Sequence, residues 1–351
     1  MFFKTKKTSM ETEIFEQSEI LTHLYDMYVS DNGDILCEVP SGIEHIVFVA
    51  SGSSYNSARF AADLFGQIAN IEARAIYSSE FLLKAAIPHA ADILYVFITQ
   101  SGETSDTNKA LNKAKQFGVT TLCITNKKDS TIWQASDFKM DCHAGEEKSI
   151  AATKSLTAQM FCLTVLVLKY AKMRGIDINP YLIDLKNLGK NVEKTYDLRP
   201  QIKLLAKHIA HFKNIVITAD GISYALAREC CLKIKETSYI NVSSAILGEF
   251  MHGHVAVLNN KSVLMHVSNE ELSYTAIKNL NKIKEQYNPP MCLLGALNAK
   301  IKPNYSLNIN CESSLIKAFC IIVAGQILAL EVAKRLKRNV DKPHGLNKVV
   351  K

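Results

Sequence analysis

Short apolar runs recur along the chain, separated by longer stretches with helical periodicity. The runs predict strands, which in the first half are Ile46–Ala50, Ile93–Thr99, Thr120–Thr125 and Phe138–Cys142. Helical patterns follow them at Tyr55–Ala69, Thr104–Phe117 and Thr153–Met173. Strands without polar alternation that alternate with helices are typical of parallel sheets covered on both faces. We therefore predict an α/β protein built on doubly wound parallel sheets flanked by helices.

The second half of the chain repeats the first at a constant shift, from position 45 to position 214, or 169 residues. His45–Arg59 (HIVFVASGSSYNSAR) aligns in this way with Asn214–Arg228 (NIVITADGISYALAR), and the same shift also pairs Cys142 with Cys311. A shift that stays constant over such a distance indicates that the loops kept their lengths. We interpret the chain as a duplicated domain.

The repeat sets the predicted domain bounds. The first domain covers residues 20–175 and the second covers 200–337, with the polar segment Gly175–Pro200 joining them. The apolar pattern of Ser314–Lys337 predicts a long final helix, and residues 338–351 form a tail.

Composition narrows the class of partner. Hydrophobic residues make up 48% of the 351 positions and charged residues 21%, as in globular proteins. The net charge of +7 comes from scattered lysines, so we expect no nucleic-acid partner, whereas a small anionic substrate fits.

Apolar runs and cysteines indicate the compartment. The run Met160–Leu168 is too short to span a bilayer, and the residues after Met1 lack the apolar core of a secretory signal. The 9 cysteines form no CxxC pair and most lie in apolar runs, which predicts reduced, buried thiols. We expect a cytoplasmic protein without a membrane partner.

Two loops rich in hydroxyl groups follow neighbouring predicted strands, namely Ser51–Ser54 (SGSS) and Thr99–Thr104 (TQSGET). Hydroxyl groups, a glycine and the free N–H groups of a helix start together form an anion site. The same residues could simply cap helices, but two such loops at adjacent strand ends favour a ligand. The predicted phosphate-binding residues are Ser53, Ser54, Gln100, Ser101 and Thr104.

The repeat maps the second loop onto Ser268–Ser273 (SNEELS), where Glu270 replaces Ser101 and Glu271 replaces Gly102. Two carboxylates would repel a phosphate. We therefore expect one phosphate site per chain, in the first domain.

Five segments carry a resemblance to a known family. They are SGSSYNSA (51–58), TQSGETSDT (99–107), AGEEKSIAATKS (144–155), LKIKETSYINV with GEFMHGH (232–254) and NVDKPHGLNKVV (339–350). The chain resembles the isomerase half of glutamine–fructose-6-phosphate aminotransferase and its stand-alone relatives, the fructosamine-6-phosphate deglycases and sugar-phosphate deaminases. The resemblance implies two tandem sugar-isomerase (SIS) domains that act on a sugar 6-phosphate without a cofactor.

The resemblance also implies roles for individual residues. It places the sugar phosphate on Ser54, Gln100, Ser101 and Thr104. The residues implied in catalysis are a proton-transferring carboxylate at Glu236, a ring-opening histidine at His252, a tail lysine at Lys348 and a further site lysine at Lys233.

The chemistry suits these residue types, although their spacing alone leaves other interpretations open. Moving a carbonyl between C1 and C2 needs one base that carries a proton between neighbouring carbons, and a carboxylate can do this. Glu236 lies three residues after Lys233 on one helix face, but it could be a solvated helix-end charge, and Lys233 could pair with Glu229. The HGH motif at 252–254 could supply two metal ligands, but no third ligand cluster supports a metal, and we expect none.

The chain departs from the synthases at several positions. Met251 stands where they usually have lysine, His254 where they usually have proline, and Ser51 and Ala152 replace a cysteine and a serine. A glutaminase domain needs an N-terminal cysteine, whereas Phe2 follows Met1 here, so we expect no ammonia production from glutamine.

The leading functional hypothesis is conversion of a fructosamine 6-phosphate to an aldose 6-phosphate and a free amine. Deamination or isomerisation of glucosamine 6-phosphate is a related alternative. A non-catalytic sugar-phosphate sensor is an alternative of another class, but the joint presence of Glu236, His252 and Lys348 favours an enzyme. The resemblance further implies a homodimer or a dimer of dimers, with His252 donated to the neighbouring subunit's site.

Overall fold

A computed structural model describes residues 7–349, so the predictions made on Met1 and Phe2 lie outside the described residues. The chain divides into two compact units, each built around one sheet. The first unit comprises Glu19–Glu147, Lys154–Gly189 and 347–349, and the second comprises 7–18, Lys148–Thr153 and Lys190–Leu346. The predicted domain bounds of 20–175, 200–337 and 338–351 remain predictions.

The first sheet has five strands, all parallel, in the order β2-β1-β3-β4-β5. They are β1 (His45–Ala50), β2 (Glu72–Tyr77), β3 (Ile93–Ile98), β4 (Thr120–Thr125) and β5 (Phe138–Asp141). The helices of this half of the chain are α1 (Ser9–Phe15), α2 (Gln17–Tyr28), α3 (Gly52–Leu64), α4 (Ser78–Leu82), α5 (Ser105–Gln116), α6 (Thr131–Ala135), α7 (Lys154–Met173) and α8 (Asn179–Tyr196). A π-helical turn, Phe65–Ala69, extends α3.

The second sheet repeats this order as β7-β6-β8-β9-β10, again with all strands parallel. Its strands are β6 (Asn214–Ala219), β7 (Asn241–Ile246), β8 (Ser262–Ser268), β9 (Met291–Gly295) and β10 (Tyr305–Asn308). The helices are α9 (Arg199–Ile209), α10 (Ser223–Ser238), α11 (Leu247–Phe250), α12 (Tyr274–Tyr287) and α13 (Ser314–Arg335). Both sheets are doubly wound and covered by helices, which confirms the predicted fold class.

Strand registers show how far the duplication holds. His45 is level with Glu72 and Ile93 in the first sheet, and Asn214 is level with Asn241 and Ser262 in the second, which is a shift of 169 at each position. The shift then changes, because β5 begins at Phe138 and β10 begins at Tyr305.

The predicted equivalence of Cys142 and Cys311 is therefore wrong in structural terms. Cys142 follows β5 directly, whereas Cys311 lies three residues beyond the end of β10. The two halves of the chain have connections of equal length through their first three strands and of different length after them.

The polar segment predicted to join the domains is mostly helix, since α8 and the start of α9 occupy it. Its amphipathic sequence buries apolar side chains such as Leu185, Leu188 and Val192. A polar composition alone therefore did not indicate an irregular linker here.

Two helices in the described part of the chain, α7 with 20 residues and α13 with 22, are long and apolar enough to cross a membrane by length and composition. The apolar run at 160–168, judged too short to span a bilayer, forms the middle of α7, which continues it at both ends and agrees with the helix predicted at Thr153–Met173. Within the tested windows, 83% of α7 and 94% of α13 is buried inside the protein, which is the usual position of a core helix.

Candidate functional site

The loop that joins β3 to α5 holds most of the predicted phosphate ligands. β1 and β3 are neighbours, with Ala50 level with Ile98, so the loops after them begin side by side at the carboxyl edge of the sheet. The strand order reverses at this point, and ligands of doubly wound sheets bind there. The phosphate-binding roles of Ser53, Ser54, Gln100, Ser101 and Thr104 remain predictions.

Hydroxyl groups in this loop bond one another rather than capping the helix. Thr104 is the N-cap residue of α5, but its side chain makes no capping hydrogen bond. Its Oγ1 lies 2.7 Å from Oγ1 of Thr99, a residue with 3% exposure. The helix start thus keeps N–H groups that an anion can accept from.

The loop carbonyls are held by groups outside the loop. The Gln100 carbonyl accepts from Asn126 N–H at 3.2 Å, and the Gly102 carbonyl accepts from Ile132 N–H at 3.3 Å and from Asn108 Nδ2 at 3.1 Å. Because these carbonyl oxygens accept hydrogen bonds from residues outside the loop, they do not accept from the loop's own N–H groups.

Gly102 is required by two features of its surroundings. Its φ of +69° is a conformation that L side chains rarely adopt, and an added Cβ would lie 2.1 Å from Ser130 Oγ. The next residue, Glu103, accepts from Thr131 N–H at 2.7 Å and from Thr131 Oγ1 at 2.9 Å. Its charge therefore caps α6 instead of opposing an anion in the loop.

The loop after β1 has a similar construction. Ser51 is the N-cap residue of α3 without a side-chain capping bond, and Gly52 has a φ of +57°. The Ser54 carbonyl accepts from Ser57 Oγ at 2.8 Å, while Ser53 and Ser54 are half-buried. The two serines thus stand in the first turn of α3, where backbone N–H groups have no partner within the helix.

The equivalent loop of the second unit is closed by its own contacts. Ser273 caps α12 by accepting from Ala276 N–H at 3.1 Å. Asn269, at the position of Gln100, is 3% exposed and contacts Ser223 Oγ at 2.5 Å. Glu270 and Glu271 are both exposed. This loop therefore combines a capped helix, a buried polar pair and two carboxylates, all of which oppose anion binding.

Lys233 and Glu236 meet on α10 in the second unit. Lys233 Nζ lies 2.6 Å from Glu236 Oε2 and 3.5 Å from Glu229 Oε1, so the ammonium contacts both carboxylates that the sequence allowed. The Lys233 side chain is 1% exposed and that of Glu236 is 23% exposed. Glu236 Oε2 is buried, and the Lys233 ammonium is its ion-pair partner among the described residues.

His252 lies in an exposed turn after α11, also in the second unit. Its backbone N–H donates to the Glu249 carbonyl at 2.9 Å, and Gly253 continues the turn with a φ of +103°. Within residues 7–349 the imidazole makes no hydrogen bond or ion pair. Of the neighbouring departures from the synthases, Met251 packs against the apolar cluster around Phe250, and His254 is exposed.

Lys348 is anchored in the first unit. Its Nζ lies 2.5 Å from Glu147 Oε2, and the Glu147 side chain is 0% exposed. Glu147 also accepts from Ser155 N–H at 3.1 Å and from Ser155 Oγ at 2.7 Å. The structure thus pairs the predicted tail lysine with a buried carboxylate near the start of α7.

Sequence reasoning missed two residues at these sites. Thr99 ends a predicted strand and was treated as strand rather than as a ligand, although its hydroxyl lies within the TQSGET motif. Glu147 lies in the recognised AGEEKSIAATKS segment, but one sequence offers no way to choose among the charged residues grouped there. No group of three or more His, Cys, Asp or Glu side chains that could hold a metal ion occurs among residues 7–349.

The chain thus contains two doubly wound parallel sheets of the same strand order, of which the first has a hydroxyl-rich loop and an uncapped helix start at its switch point and the second has a capped helix start. The sequence model of the SIS domain matches residues 41–169 and 208–333, and the chain belongs to this family.

Individual relatives agree with this assignment. The chain is 30% identical over 349 residues to glutamine–fructose-6-phosphate aminotransferase [isomerizing] of Helicobacter pylori, covering 97% of this chain and 58% of the relative. The C-terminal domain of glucosamine-fructose-6-phosphate aminotransferase from Francisella tularensis superposes with a TM-score of 0.89 at 26% identity, over 98% of this chain and 100% of that one. The predicted resemblance is thereby confirmed, and the chain spans 58% of the length of the curated relatives it matches.

The fold is also shared with glucosamine-6-phosphate deaminase from Thermotoga maritima. The TM-score is 0.77 at 19% identity, over 98% of this chain and 99% of that one. At this identity the likeness concerns the fold alone.

Proposed function

We propose that this protein converts a fructosamine 6-phosphate to an aldose 6-phosphate and a free amine. The observation that carries the proposal is the contact between Glu236 and the buried Lys233, because it fixes a carboxylate in place, as a positioned general base requires and a sugar-phosphate sensor does not. The relatives' names support the substrate class, since they concern fructose 6-phosphate and glucosamine 6-phosphate.

The proposed reaction begins on the open-chain sugar, which has a carbonyl at C2 and the amino group on C1. The Glu236 carboxylate removes a proton from C1 and returns it to C2, while the nitrogen gives up its N–H proton and the C2 oxygen takes up a proton, so that the C2 carbonyl becomes a hydroxyl and C1 becomes an imine. Water then adds to C1 and the amine leaves, which gives the aldose 6-phosphate. A single base can serve both proton transfers because C1 and C2 are neighbours.

Other residues bind the substrate and prepare it for this step. The phosphate is held by the hydroxyl and N–H groups of Ser54, Gln100, Ser101 and Thr104. His252 exchanges a proton with the ring oxygen and opens cyclic substrates. Lys233 holds the Glu236 carboxylate in position, and Lys348 supplies a further cation.

A substrate panel tests the proposal. Fructosamine 6-phosphates and glucosamine 6-phosphate are each incubated with the purified chain, and aldose 6-phosphate and amine are quantified. We expect turnover of the fructosamine 6-phosphates. Turnover of glucosamine 6-phosphate alone would replace the proposal with the deaminase alternative, and binding without any turnover would identify a sensor.

Glu236→Gln gives the sharpest single comparison. The amide keeps the shape of the side chain but cannot take a proton, so kcat should fall by at least about a hundredfold while substrate affinity changes little. Lys233 keeps its contact with Glu229 in this variant, so the helix should still fold. Glu285→Gln, on the exposed face of α12, is the matched control and should retain full activity. Equal kcat values for the two variants would remove Glu236 from the mechanism.

A further inference from the structure

One pair of cysteines in the second unit is arranged for chemistry that the proposed reaction does not use. All 9 cysteines are free thiols, and most are buried. Cys311, in the segment between β10 and α13, is half-buried, whereas Cys320, in the second turn of α13, is 0% exposed. Their sulfur atoms lie 3.8 Å apart. An accessible thiol thus stands next to a sheltered one.

The groups around the two cysteines favour ionisation of the accessible thiol, that of Cys311. The two thiols hydrogen-bond each other at 3.8 Å, and this interaction lowers the pKa of Cys311 against the opposing effect of burial. The ammonium groups of Lys317 on α13 and Lys194 on α8 lower the pKa of Cys311 further. The same hydrogen bond and burial raise the pKa of Cys320. Cys311 is therefore the nucleophile, and Cys320 is a proton donor that can later act as the second thiol.

We propose that Cys311 and Cys320 form an oxidation site at which a hydroperoxide converts the two thiols into a reversible disulfide. The Cys311 thiolate attacks the terminal oxygen of the hydroperoxide, so that an S–O bond forms, the O–O bond breaks and the departing oxygen leaves as water or alcohol after protonation. Cys320 then loses its proton and attacks the Cys311 sulfur, which forms the S–S bond and releases the sulfenic oxygen as water. The two thiols lose two electrons and two protons in total, and the hydroperoxide gains them.

The geometry permits the second step without disturbing the core. The two sulfur atoms of a disulfide lie about 2.05 Å apart, so those of Cys311 and Cys320, now 3.8 Å apart, must approach each other by about 1.8 Å. Cys311 lies outside regular secondary structure and can make this approach, whereas Cys320 is fixed within α13. A sulfenic acid condenses with a neighbouring thiol to form a disulfide.

The chain supplies its own control in Cys142 and Cys162. These thiols also interact, but both are 0% exposed, and the Cys162 thiol donates to the Asp141 carbonyl at 3.6 Å. The interaction with Cys162 and burial raise the pKa of Cys142, so neither accessibility nor thiolate formation favours its oxidation. If proximity alone were sufficient, this pair would oxidise as readily as the other.

The experiment treats the full chain with hydrogen peroxide, alkylates the remaining thiols and identifies modified peptides by mass spectrometry. We expect a peptide pair joined through Cys311 and Cys320, formed at least about tenfold faster than any product at Cys142 or Cys162 and reversed by dithiothreitol. In Cys320→Ser, Cys311 should stop at the sulfenic acid, which dimedone traps, or proceed to the sulfinic acid. Cys311→Ser should leave Cys320 reduced.

Two results would overturn the proposal. One is the absence of peroxide reaction at Cys311 in the folded chain, which would mean that the thiol is covered in solution. The other is direct conversion of Cys311 to a sulfinic acid in the unmodified sequence, with Cys320 still reduced. Near-ultraviolet circular dichroism of both serine variants establishes that they are folded before either result is interpreted.

Discussion

At the scale of single residues, Gly102 shows how strictly the phosphate loop depends on one position. The residue combines a φ of +69° with a site where a Cβ would approach Ser130 Oγ to 2.1 Å. Gly118 shares the unusual backbone, with a φ of +66°, but a Cβ added there would meet nothing within 4 Å. The two glycines therefore separate the effect of strain from the effect of crowding.

We expect Gly102→Ala to weaken binding of a sugar 6-phosphate by about tenfold or more, because the loop must shift to relieve both strain and overlap. Isothermal titration calorimetry with fructose 6-phosphate measures the change. Gly118→Ala should lower the free energy of unfolding, because its backbone is strained in the same way, but it should leave the affinity for the sugar phosphate as in the parent chain. Unchanged affinity in Gly102→Ala would show that the loop does not bind the phosphate.

The sequence allowed side-chain contacts to be predicted where a helix fixes the spacing of two residues, but not where the two residues are far apart in the chain. Lys233 and Glu236 are three positions apart on α10, so their contact at 2.6 Å could be predicted. Glu147 and Lys348 are 201 positions apart, and nothing local to either residue indicates the other. The pair of Lys233 with Glu229, offered as the alternative interpretation, is present beside the contact with Glu236, since the ammonium contacts both carboxylates.

At the scale of elements, the starts of α5 and α12 differ in how their N–H groups are used. Ser273 accepts from Ala276 N–H and caps α12, whereas Thr104 contacts Thr99 and leaves the start of α5 without a side-chain cap. The two equivalent helices thus differ at their N-termini: that of α12 is capped by a side chain, whereas that of α5 keeps N–H groups to which an anion can bind.

Alanine substitutions at these two N-caps should have opposite consequences. Ser273→Ala should lower the free energy of unfolding by about 1 kcal/mol and leave sugar-phosphate affinity unaltered. Thr104→Ala should reduce the affinity by about tenfold, as expected for one lost hydrogen bond to a charged group, with a smaller loss of stability. Urea titration and calorimetry on the two variants provide the comparison, and a loss of affinity in Ser273→Ala would contradict the closed state of the second loop.

Elements were predictable where the hydrophobic pattern was uniform. The central strands β1, β3 and β4 are apolar on both faces, and each predicted strand agrees with the structure to within one residue. The edge strand β2 (EARAIY) carries polar residues because one of its sides has no neighbouring strand, and it was missed, whereas the edge strand β5 at the other side of the sheet was predicted. An apolar run thus detects a covered strand more readily than an edge strand with alternating polar residues.

At the scale of the whole molecule, duplication allowed one copy to change while the other kept its loop. The strand order is the same in both sheets, yet the first copy has an uncapped helix start and a glycine where the second has a capped start and Glu271. Each copy therefore shows what the other has lost or gained. The slip between β8 and β9 marks where this internal correspondence ceases to hold at single residues.

The proposed assembly is a homodimer in which His252 serves the neighbouring subunit's site, and mixing two inactive variants tests it. If Glu236→Gln and His252→Ala are mixed and exchange subunits at random, half of the dimers contain one intact site, so activity should recover to about a quarter of the parent value. Turnover of a cyclic sugar 6-phosphate is the measurement. A double variant, with both changes in one chain, cannot restore an intact site by exchange with itself and is the control. No recovery in the mixture would mean that His252 serves its own chain.

The pair formed by Glu147 and Lys348 has a consequence for the order of events during synthesis. The ribosome makes the carboxylate 201 residues before the ammonium that faces it. At ordinary elongation rates that interval is roughly 10–40 s. Once residues 154–189 have also been made, the nascent first unit has its strands, loops and helices, and Ser155 can donate to the acid, but the ammonium that faces it does not yet exist. The half of the protein that is translated first is therefore among the last to reach its final electrostatic state.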